Sequence, residues 1–199
     1  MVKIGIVGCG YWGPNLIRNF NEIKNCQILL CCDKVKERLE SINRTYKNIN
    51  TTIDVDGLIN NSDIDAVIIA TPTQTHYGLV KDAILKGKHV FVEKPLAFSV
   101  KEAEELVELA YKHKRILMVG HTFEFNPAVV KLREYISNGD LGTIHYITSR
   151  RINLGIVRED INALWNLAPH DISILIYLLG KMPSKIKAWG SSFLQKGIE

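Results

Sequence analysis

The segment VKIGIVGCGYWG, residues 2–13, joins a short apolar run to three glycines that have the spacing GxGxxG. Pro14 follows them, and proline is tolerated in the first turn of a helix. Gly8 permits a tight turn, Gly10 lets the backbone approach a pyrophosphate, and Gly13 lets helix and strand pack closely. The helix N-terminus also offers free N–H groups to an anion. The segment therefore predicts a strand, a phosphate-binding turn and a helix.

A carboxylate stands where a dinucleotide site needs one. Asp33 ends the next apolar run, 27–32, about 20 residues after the glycines, which is typical of the acid that binds the adenosine ribose. Such a carboxylate accepts hydrogen bonds from the ribose hydroxyls and repels a 2′-phosphate, so we expect NAD as the cofactor, with NADP less favoured. Lys34 weakens that preference. Tyr11 and Trp12 are candidates to cover the cofactor, although ordinary packing explains them equally well.

Along the rest of the chain, short β-branched runs alternate with longer amphipathic segments, which is typical of βαβ units around a parallel sheet. The sequence predicts strands at 2–7, 27–32, 66–70, 89–93 and 116–119. Helices are predicted at 13–24, 35–46, 76–87 and 99–113, the last beginning with a capping box formed by Ser99 and Glu102. The expected fold class is α/β, a doubly wound Rossmann sheet.

The pattern changes after about residue 120. Pro127 opens a helix that ends near Gly139, and a second helix is expected at Ile172–Leu179, with Pro169 marking its approach. Strands are predicted at Ile144–Leu154 and Lys185–Leu194. We therefore expect a dinucleotide-binding domain over 1–121 and the first part of an α+β domain over 122–199.

Composition excludes several classes of protein. With 46% hydrophobic and 23% charged residues, the chain can bury a core and is not a disordered chain. The net charge of +4 is scattered, so nucleic acid is not an expected partner. No apolar run approaches the ~20 residues that a bilayer requires, and no signal-peptide core is present, so a cytoplasmic protein is expected. Cys9, Cys26, Cys31 and Cys32 lack zinc-site spacing and are expected to be reduced thiols, and no metal site is expected.

Several further motifs occur in a characteristic order: Ala70-Thr71-Pro72, His76, Gly87-Lys88-His89-Val90 and Glu93-Lys94-Pro95. Together they resemble the glucose-fructose oxidoreductase and inositol dehydrogenase family. The resemblance implies an N-terminal Rossmann domain, a C-terminal domain built on an open, mainly antiparallel sheet that often associates into oligomers, and oxidation or reduction of sugars and cyclitols with a nicotinamide cofactor. A homo-oligomer formed through that sheet is therefore expected.

Three later segments resemble the branch that acts on nucleotide-linked sugars: 120–127, 151–155 and 165–171. Those relatives oxidise the C3 hydroxyl of UDP-N-acetylglucosamine or of its uronic acid. Two alternatives stay open. One is a cyclitol or free-sugar dehydrogenase, and the other is a non-catalytic NAD-binding module.

Lys94 and His170 are the catalytic candidates. Lys94 lies just past the carboxyl end of a predicted parallel strand, where open α/β sheets place their ligands. The resemblance makes it the lysine that bonds the reacting hydroxyl, with Pro95 following a cis peptide bond in many relatives. His170 can act as an acid or a base near neutral pH, although a core or capping histidine is the alternative. The family often has an acid four residues earlier, where this chain has Asn166.

The remaining candidates divide between substrate and cofactor. Guanidinium groups suit phosphate oxygens, so a sugar or diphosphate site is expected to use Arg151, Asn153 and Arg158, with His121, Asn126, Asn166 and His170 in the same cleft. An ordinary surface group is an equal alternative for five of them: Arg151, Asn153, Arg158, His121 and Asn126. The resemblance implies that the cofactor is also contacted by Thr71, Pro72, Thr73, His76, Glu93 and Lys94.

The length of 199 residues is short for the family. Relatives continue with further strands of the open sheet. We expect either a fragment or a chain that completes its sheet in an oligomer, since an unpaired apolar sheet edge favours association.

Overall fold

The computed structural model describes residues 1–152 and 161–193. The chain divides into two compact units, Met1–Gly120 and His121–Glu199. In the first, a sheet is formed by β1 (Val2–Val7), β2 (Cys26–Cys32), β3 (Asn50–Thr52), β4 (Ala66–Ile69), β5 (His89–Val92) and β6 (Leu117–Val119). Its strands are parallel and lie in the order β3-β2-β1-β4-β5-β6. This is the order of the doubly wound dinucleotide-binding fold.

Helices connect these strands: α1 (Gly13–Glu22), α2 (Lys36–Thr45), α3 (Val55–Asn60), α4 (His76–Leu85) and α5 (Val100–Lys112). Two apolar cores result. One is centred on residues such as Val67, Ile69 and Leu106, and the other includes Ile6, Ile17 and Ile28. Burial on both faces explains why the central strands are apolar throughout.

The predicted Rossmann sheet is confirmed. Its five predicted strands and four predicted helices are present, with ends that differ by no more than two residues. The capping box at Ser99 is also present, with Ser99 Oγ accepting from the Glu102 N–H and Glu102 Oε2 accepting from the Ser99 N–H.

Two short elements, β3 and α3, are not predicted from the sequence. The three residues of β3 carry no apolar alternation and become a strand by pairing with Leu30–Cys32. The six-residue α3 contains Gly57, and it begins where Asp54 Oδ1 accepts from the Gly57 N–H at 2.9 Å. Both elements are too short for a periodic pattern to identify.

The second unit contains α6 (Pro127–Asn138) and α7 (Ala163–Leu179), each followed by a glycine in the left-handed conformation. The first helix was predicted with these bounds. The second begins earlier than predicted, because the Asn162 side chain accepts from the Trp165 N–H and starts the helix there. Pro169 therefore lies inside α7 and does not mark a start.

Neither strand expected in the second unit occurs within its described residues, 144–152 and 185–193. A strand requires a hydrogen-bonded neighbour, and isolated pairs are marginal in water. Apolar side chains in both segments face solvent, with Tyr146 85% and Trp189 87% exposed. This corrects both strand predictions for those ranges, while residues 153, 154 and 194 lie outside the described part of the chain.

Over residues 1–152 and 161–193, no helix has the length and apolar character needed to cross a membrane, and no cluster of three metal-ligating side chains occurs. All four cysteines are free thiols. Burial raises the pKa of Cys32 to about 11, aided by the neighbouring Cys9 and Asp33.

Candidate functional site

The glycine turn lies between β1 and α1 and is closed by backbone contacts. Gly8 has φ +97°, and a Cβ there would lie 2.6 Å from the Ala70 carbonyl carbon and oxygen. A Cβ on Gly13 would lie 2.4 Å from the Gly8 carbonyl oxygen. Neither position can carry a side chain without movement of the backbone. The two glycines therefore have the steric roles that the sequence predicts.

Gly10 differs from both, because a Cβ there would have only the Arg38 guanidinium nearby, at 3.4 Å. Its outer side is therefore open to a ligand. Among the described residues, no side chain caps the N-terminus of α1 at Trp12. The turn thus combines an open backbone approach with the positive end of a helix dipole, as an anion requires.

Tyr11 and Trp12 lie in this turn with exposed side chains. Their rings meet edge to face, with centroids 5.8 Å apart. Solvent therefore reaches aromatic surface directly beside the open glycine.

Asp33 is only 8% exposed and its carboxylate already binds the turn. Oδ2 accepts from the Cys9 N–H at 2.7 Å, and Oδ1 accepts from the Val35 N–H at 2.8 Å. Arg38 Nη1, on α2, lies 3.3 Å from Oδ2. The same nitrogen lies 3.5 Å from Oδ1, so each oxygen already has two donors, and a ribose hydroxyl would take the place of one of the long arginine contacts.

Sequence reasoning missed Arg38. The only indication in the sequence is the position of Arg38. A side chain in the first turn of the helix that follows Asp33 can fold back over the glycine turn. Half of its side chain is exposed to solvent. The guanidinium partly neutralises the carboxylate beside the glycines, which bears directly on the choice between NAD and NADP.

The loop after β4 is held by internal bonds. Thr71 Oγ1 and Thr75 Oγ1 are 2.6 Å apart, and Thr75 Oγ1 donates to the Pro72 carbonyl at 2.8 Å. Thr73 is buried, whereas Pro72 is exposed. The loop therefore presents a rigid backbone at the carboxyl edge of the sheet.

His76, the first residue of α4, is 1% exposed. Its Nδ1 lies 2.8 Å from the Pro95 carbonyl oxygen, and its Nε2 lies 2.9 Å from the Thr71 carbonyl oxygen. The structure thus places this ring beneath the loop surface, in contact with the turns that follow β4 and β5.

Glu93 and Lys94 follow β5. The Glu93 N–H donates to the Ile69 carbonyl at 2.9 Å, and the Lys94–Pro95 peptide bond is cis. Burial raises the pKa of Glu93, and the Lys94 charge and backbone N–H oppose that rise. A Cβ on Gly120 would lie 3.3 Å from Glu93 Oε1, so this glycine leaves room for the carboxylate.

In the second unit, Asp171 on α7 joins two earlier residues. Its Oδ2 accepts from Arg151 Nε at 2.6 Å, and its Oδ1 accepts from Ser149 Oγ at 2.7 Å. Burial acts to raise the pKa of Asp171, but these bonds and the Arg151 charge outweigh it and lower that pKa. The side chain of Arg151 is thereby fixed through one edge of its guanidinium.

Arg151 and His170 both contact Phe123. The Arg151 guanidinium carbon lies 5.1 Å from the centre of the Phe123 ring, and the His170 ring meets the same ring edge to face at 4.8 Å. His170 lies in the interior of α7, not in its first turn. A cation and a titratable imidazole are therefore held on one aromatic ring.

The remaining candidates of the second unit are distributed along it. Asn126 caps α6 by accepting from the Ala128 N–H at 2.9 Å, which gives it a structural role. His121 directly precedes the short 3-10 turn Thr122–Phe125, and Asn166 lies on α7. Asn153 and Arg158 lie outside the described residues.

The sequence of the chain matches a known protein family. Residues 2–121 match the model of an oxidoreductase family with an NAD-binding Rossmann fold. The chain is 31% identical over 198 residues to the oxidoreductase YrbE of Bacillus subtilis, covering 97% of this chain and 58% of that protein.

Relatives with different activities match at similar levels. The inositol 2-dehydrogenase of Salmonella typhimurium is 28% identical, with 94% of this chain and 57% of that protein covered. The UDP-N-acetylglucosamine 3-dehydrogenase of Acidithiobacillus ferrooxidans is 27% identical, with 95% and 58% covered. The chain thus spans a little over half the length of these relatives.

Solved structures agree with the fold. A probable dehydrogenase from Thermotoga maritima superposes with a TM-score of 0.79 at 26% identity, covering 91% of this chain and 56% of that chain.

Proposed function

The chain belongs to the oxidoreductase family with an NAD-binding Rossmann fold, and on that premise we propose that it transfers a hydride between a nicotinamide cofactor and the carbon that carries a sugar hydroxyl. The proposed substrate is a UDP-N-acetylhexosamine or its uronic acid, oxidised at C3. The observation that carries the proposal is the position of Lys94, which follows β5 at the same sheet edge as the open glycine turn after β1. Both features belong to the first unit.

The residues present fit a dinucleotide. The open side of Gly10 and the uncapped N-terminus of α1 suit the pyrophosphate, and Asp33 suits the adenosine ribose. Tyr11 and Trp12 are proposed to cover it, and Thr71, Pro72, Thr73 and Glu93 to line its nicotinamide end. When bound, the nicotinamide ring accepts or supplies the hydride.

Lys94 is proposed to hold the reacting hydroxyl and to take its proton during oxidation. A group with this task must stand within hydrogen-bond reach of the hydroxyl. His170 is proposed as a second proton carrier, with Asn166 bonding the sugar or orienting the ring, since an amide cannot take the proton itself.

Arg151 is proposed to bind the diphosphate or the uronate carboxylate. Its Nε is already bonded to Asp171, so the terminal Nη groups remain for a second anion in the fork geometry that guanidinium offers. His121, Asn153 and Arg158 are proposed as further substrate contacts on the basis of the sequence alone.

We propose NAD over NADP, because Asp33 follows β2, where an acidic side chain binds the adenosine ribose in dinucleotide-binding domains of this type. Arg38 supports some acceptance of NADP, since a nearby arginine can accommodate a 2′-phosphate. A second function, oxidation of a cyclitol or a free sugar, is favoured by the match to an inositol 2-dehydrogenase at nearly the same identity as the nucleotide-sugar enzyme.

The test is NADH formation, followed by its absorbance, across a panel of UDP-N-acetylhexosamines, their uronic acids, free sugars and inositols. We expect turnover with nucleotide sugars and little with the others. Equal rates with free sugars, or turnover confined to inositols, would replace the proposed substrate by the second candidate. NADH binding without turnover on any substrate would support a non-catalytic module.

Lys94→Ala provides the matched test of mechanism. Loss of a positioned proton-transfer group typically costs about 10²–10⁴-fold in rate, while NADH affinity should change little. Lys101→Ala, at an exposed position of α5, is the control and should leave both quantities unchanged. Full activity in Lys94→Ala would remove this lysine from the mechanism.

A further inference from the structure

The imidazole of His76 is deeply buried, and both of its nitrogens face backbone carbonyl oxygens. Its Nδ1 lies 2.8 Å from the Pro95 carbonyl oxygen and its Nε2 lies 2.9 Å from the Thr71 carbonyl oxygen. The ring is 1% exposed. A cofactor seated on the sheet edge would therefore meet the loops above the ring and not the ring itself.

Those two carbonyls belong to the two loops that matter most for the proposed function. Thr71 lies in the loop after β4, and Pro95 directly follows Lys94. The strands β4 and β5 are neighbours in the sheet, paired from Ala66↔His89 to Ile69↔Val92. Beyond these pairs the ladder ends, and the side chain of His76 lies between the two segments that follow β4 and β5 and contacts both.

We propose that His76 is a positioning residue, which donates its Nδ1–H to the Pro95 carbonyl, lies against the Thr71 carbonyl and thereby sets the place of Lys94 relative to the cofactor loop Thr71–Thr73. This inference rests on the proposed function, because it takes Lys94 to stand beside the nicotinamide. In this role His76 lies beneath the cofactor loop and supports it, whereas the sequence predicts a direct contact with the cofactor.

The chemistry of the ring supports this role. Burial lowers the pKa of His76, and the two carbonyl contacts oppose that fall. A neutral imidazole has one N–H and donates to one carbonyl at a time. The two contacts are therefore not equivalent, and amide side chains can separate them. In Asn the Nδ2 donor lies near the place of His Nδ1, and in Gln the Nε2 donor lies near that of His Nε2.

The experiment uses His76→Asn, which can still donate to Pro95, His76→Gln, which can still donate to Thr71, and His76→Phe, which retains the ring and loses both contacts. His145→Asn, at an exposed histidine, is the control. The readout is the rate at which an amine-reactive reagent labels Lys94, measured by peptide mass spectrometry with and without saturating NADH. NADH affinity is measured separately by fluorescence.

We expect NADH to protect Lys94 several-fold in the unchanged protein, in His145→Asn and in His76→Asn. Protection should be lost in His76→Gln and His76→Phe while NADH still binds. A merely structural role would weaken all three His76 variants together and would not separate Asn from Gln. If the Phe variant fails to fold, the Asn and Gln pair decides the matter.

Equal protection in every folded variant would overturn the role of His76 alone. If NADH binds the unchanged protein without protecting Lys94, the placement of Lys94 beside the nicotinamide is wrong, and the proposed function and this inference fail together. Where turnover is measurable, His76→Gln should lower kcat with little change in the KM for NAD, whereas His76→Asn should keep most of kcat.

Discussion

At the scale of single residues, two carboxylates, those of Asp33 and Asp171, hold neighbouring candidate residues in place through hydrogen bonds and ion pairs. Asp33 accepts from the Cys9 and Val35 N–H groups and pairs with Arg38, so it stabilises the glycine turn in addition to its proposed contact with the ribose. Asp171 similarly joins Arg151 and Ser149. In both cases an acid holds an arginine beside a proposed anion site, and the arginine's remaining donors define what can bind there.

Arg38→Ala should sharpen the preference for NAD. Without the guanidinium, the Asp33 charge is less compensated and repels a 2′-phosphate more strongly. A hydrogen bond to a charged group contributes about 1.5–3 kcal/mol, so NADPH affinity should fall by about 10–100-fold while NADH affinity changes little. Fluorescence titration with both nucleotides measures this. Arg44→Ala, later on the same helix, is the control, and an equal loss for NADH and NADPH would contradict the prediction.

Asp171→Asn should remove an acid-sensitive contribution to the stability of the second unit. The pKa of Asp171 is lowered in the folded chain from its ordinary value of 3.8, so the stabilisation is fully present above that pH and is lost as the pH falls below it. Thermal unfolding of the unchanged protein and the variant should differ at pH 7 and converge towards pH 3. Asp140→Asn, at an exposed position, should show no such pH-dependent difference. A constant gap at all pH values would argue that packing and not charge is responsible.

At the scale of elements, local chemistry explains most starts and stops. The capping box begins α5, and glycines with positive φ follow α6 and α7. α7 shows the limit of such rules, since Pro169 indicates a start but lies inside the helix. Proline removes one hydrogen bond from a helix, and here the Asn162 cap and the remaining bonds of the helix outweigh that loss.

The turn before α1 offers a matched pair of substitutions. Gly13→Ala would place a Cβ 2.4 Å from the Gly8 carbonyl oxygen, whereas Gly10→Ala meets only the end of a flexible arginine at 3.4 Å. We expect Gly13→Ala to lower the free energy of unfolding by about 1–3 kcal/mol, as overpacking usually does. Gly10→Ala should leave stability nearly unchanged and weaken NADH binding. Chemical denaturation and fluorescence titration separate the two effects, and unaltered NADH affinity in Gly10→Ala would place the pyrophosphate elsewhere.

At the scale of the whole molecule, the first unit has a buried two-sided sheet, while described segments of the second expose large apolar side chains: Tyr146, Ile152, Ile186, Trp189 and Phe193. Exposed apolar surface of this kind favours association. The homo-oligomer therefore stays a prediction, and the exposed apolar surface supports it. The strands through which it was expected do not occur in those segments.

We expect the chain to associate reversibly in solution, because burial of these side chains is favourable at roughly 25 cal/mol per Å² of apolar surface. Sedimentation equilibrium over a range of protein concentrations measures it. Joint replacement of Ile186 and Trp189 by serine should shift the distribution towards monomer. Tyr111→Ser, at an exposed aromatic of the first unit, is the control. A monomer at every concentration in the unchanged protein would contradict the prediction.

Periodicity and backbone sterics act locally, and for that reason the residue pattern alone predicted the Rossmann sheet, the ends of its strands and the glycine turn. The placement of Lys94 after β5 and of Asp33 after β2 followed from the same rule. Other features depend on chain segments that meet only on folding: β3 through its pairing with β2, Arg38 through its contact with Asp33, and His76 through the Thr71 and Pro95 carbonyls. Tertiary structure decided these because each is an interaction between two segments, and the pattern within either segment carries no information about its partner.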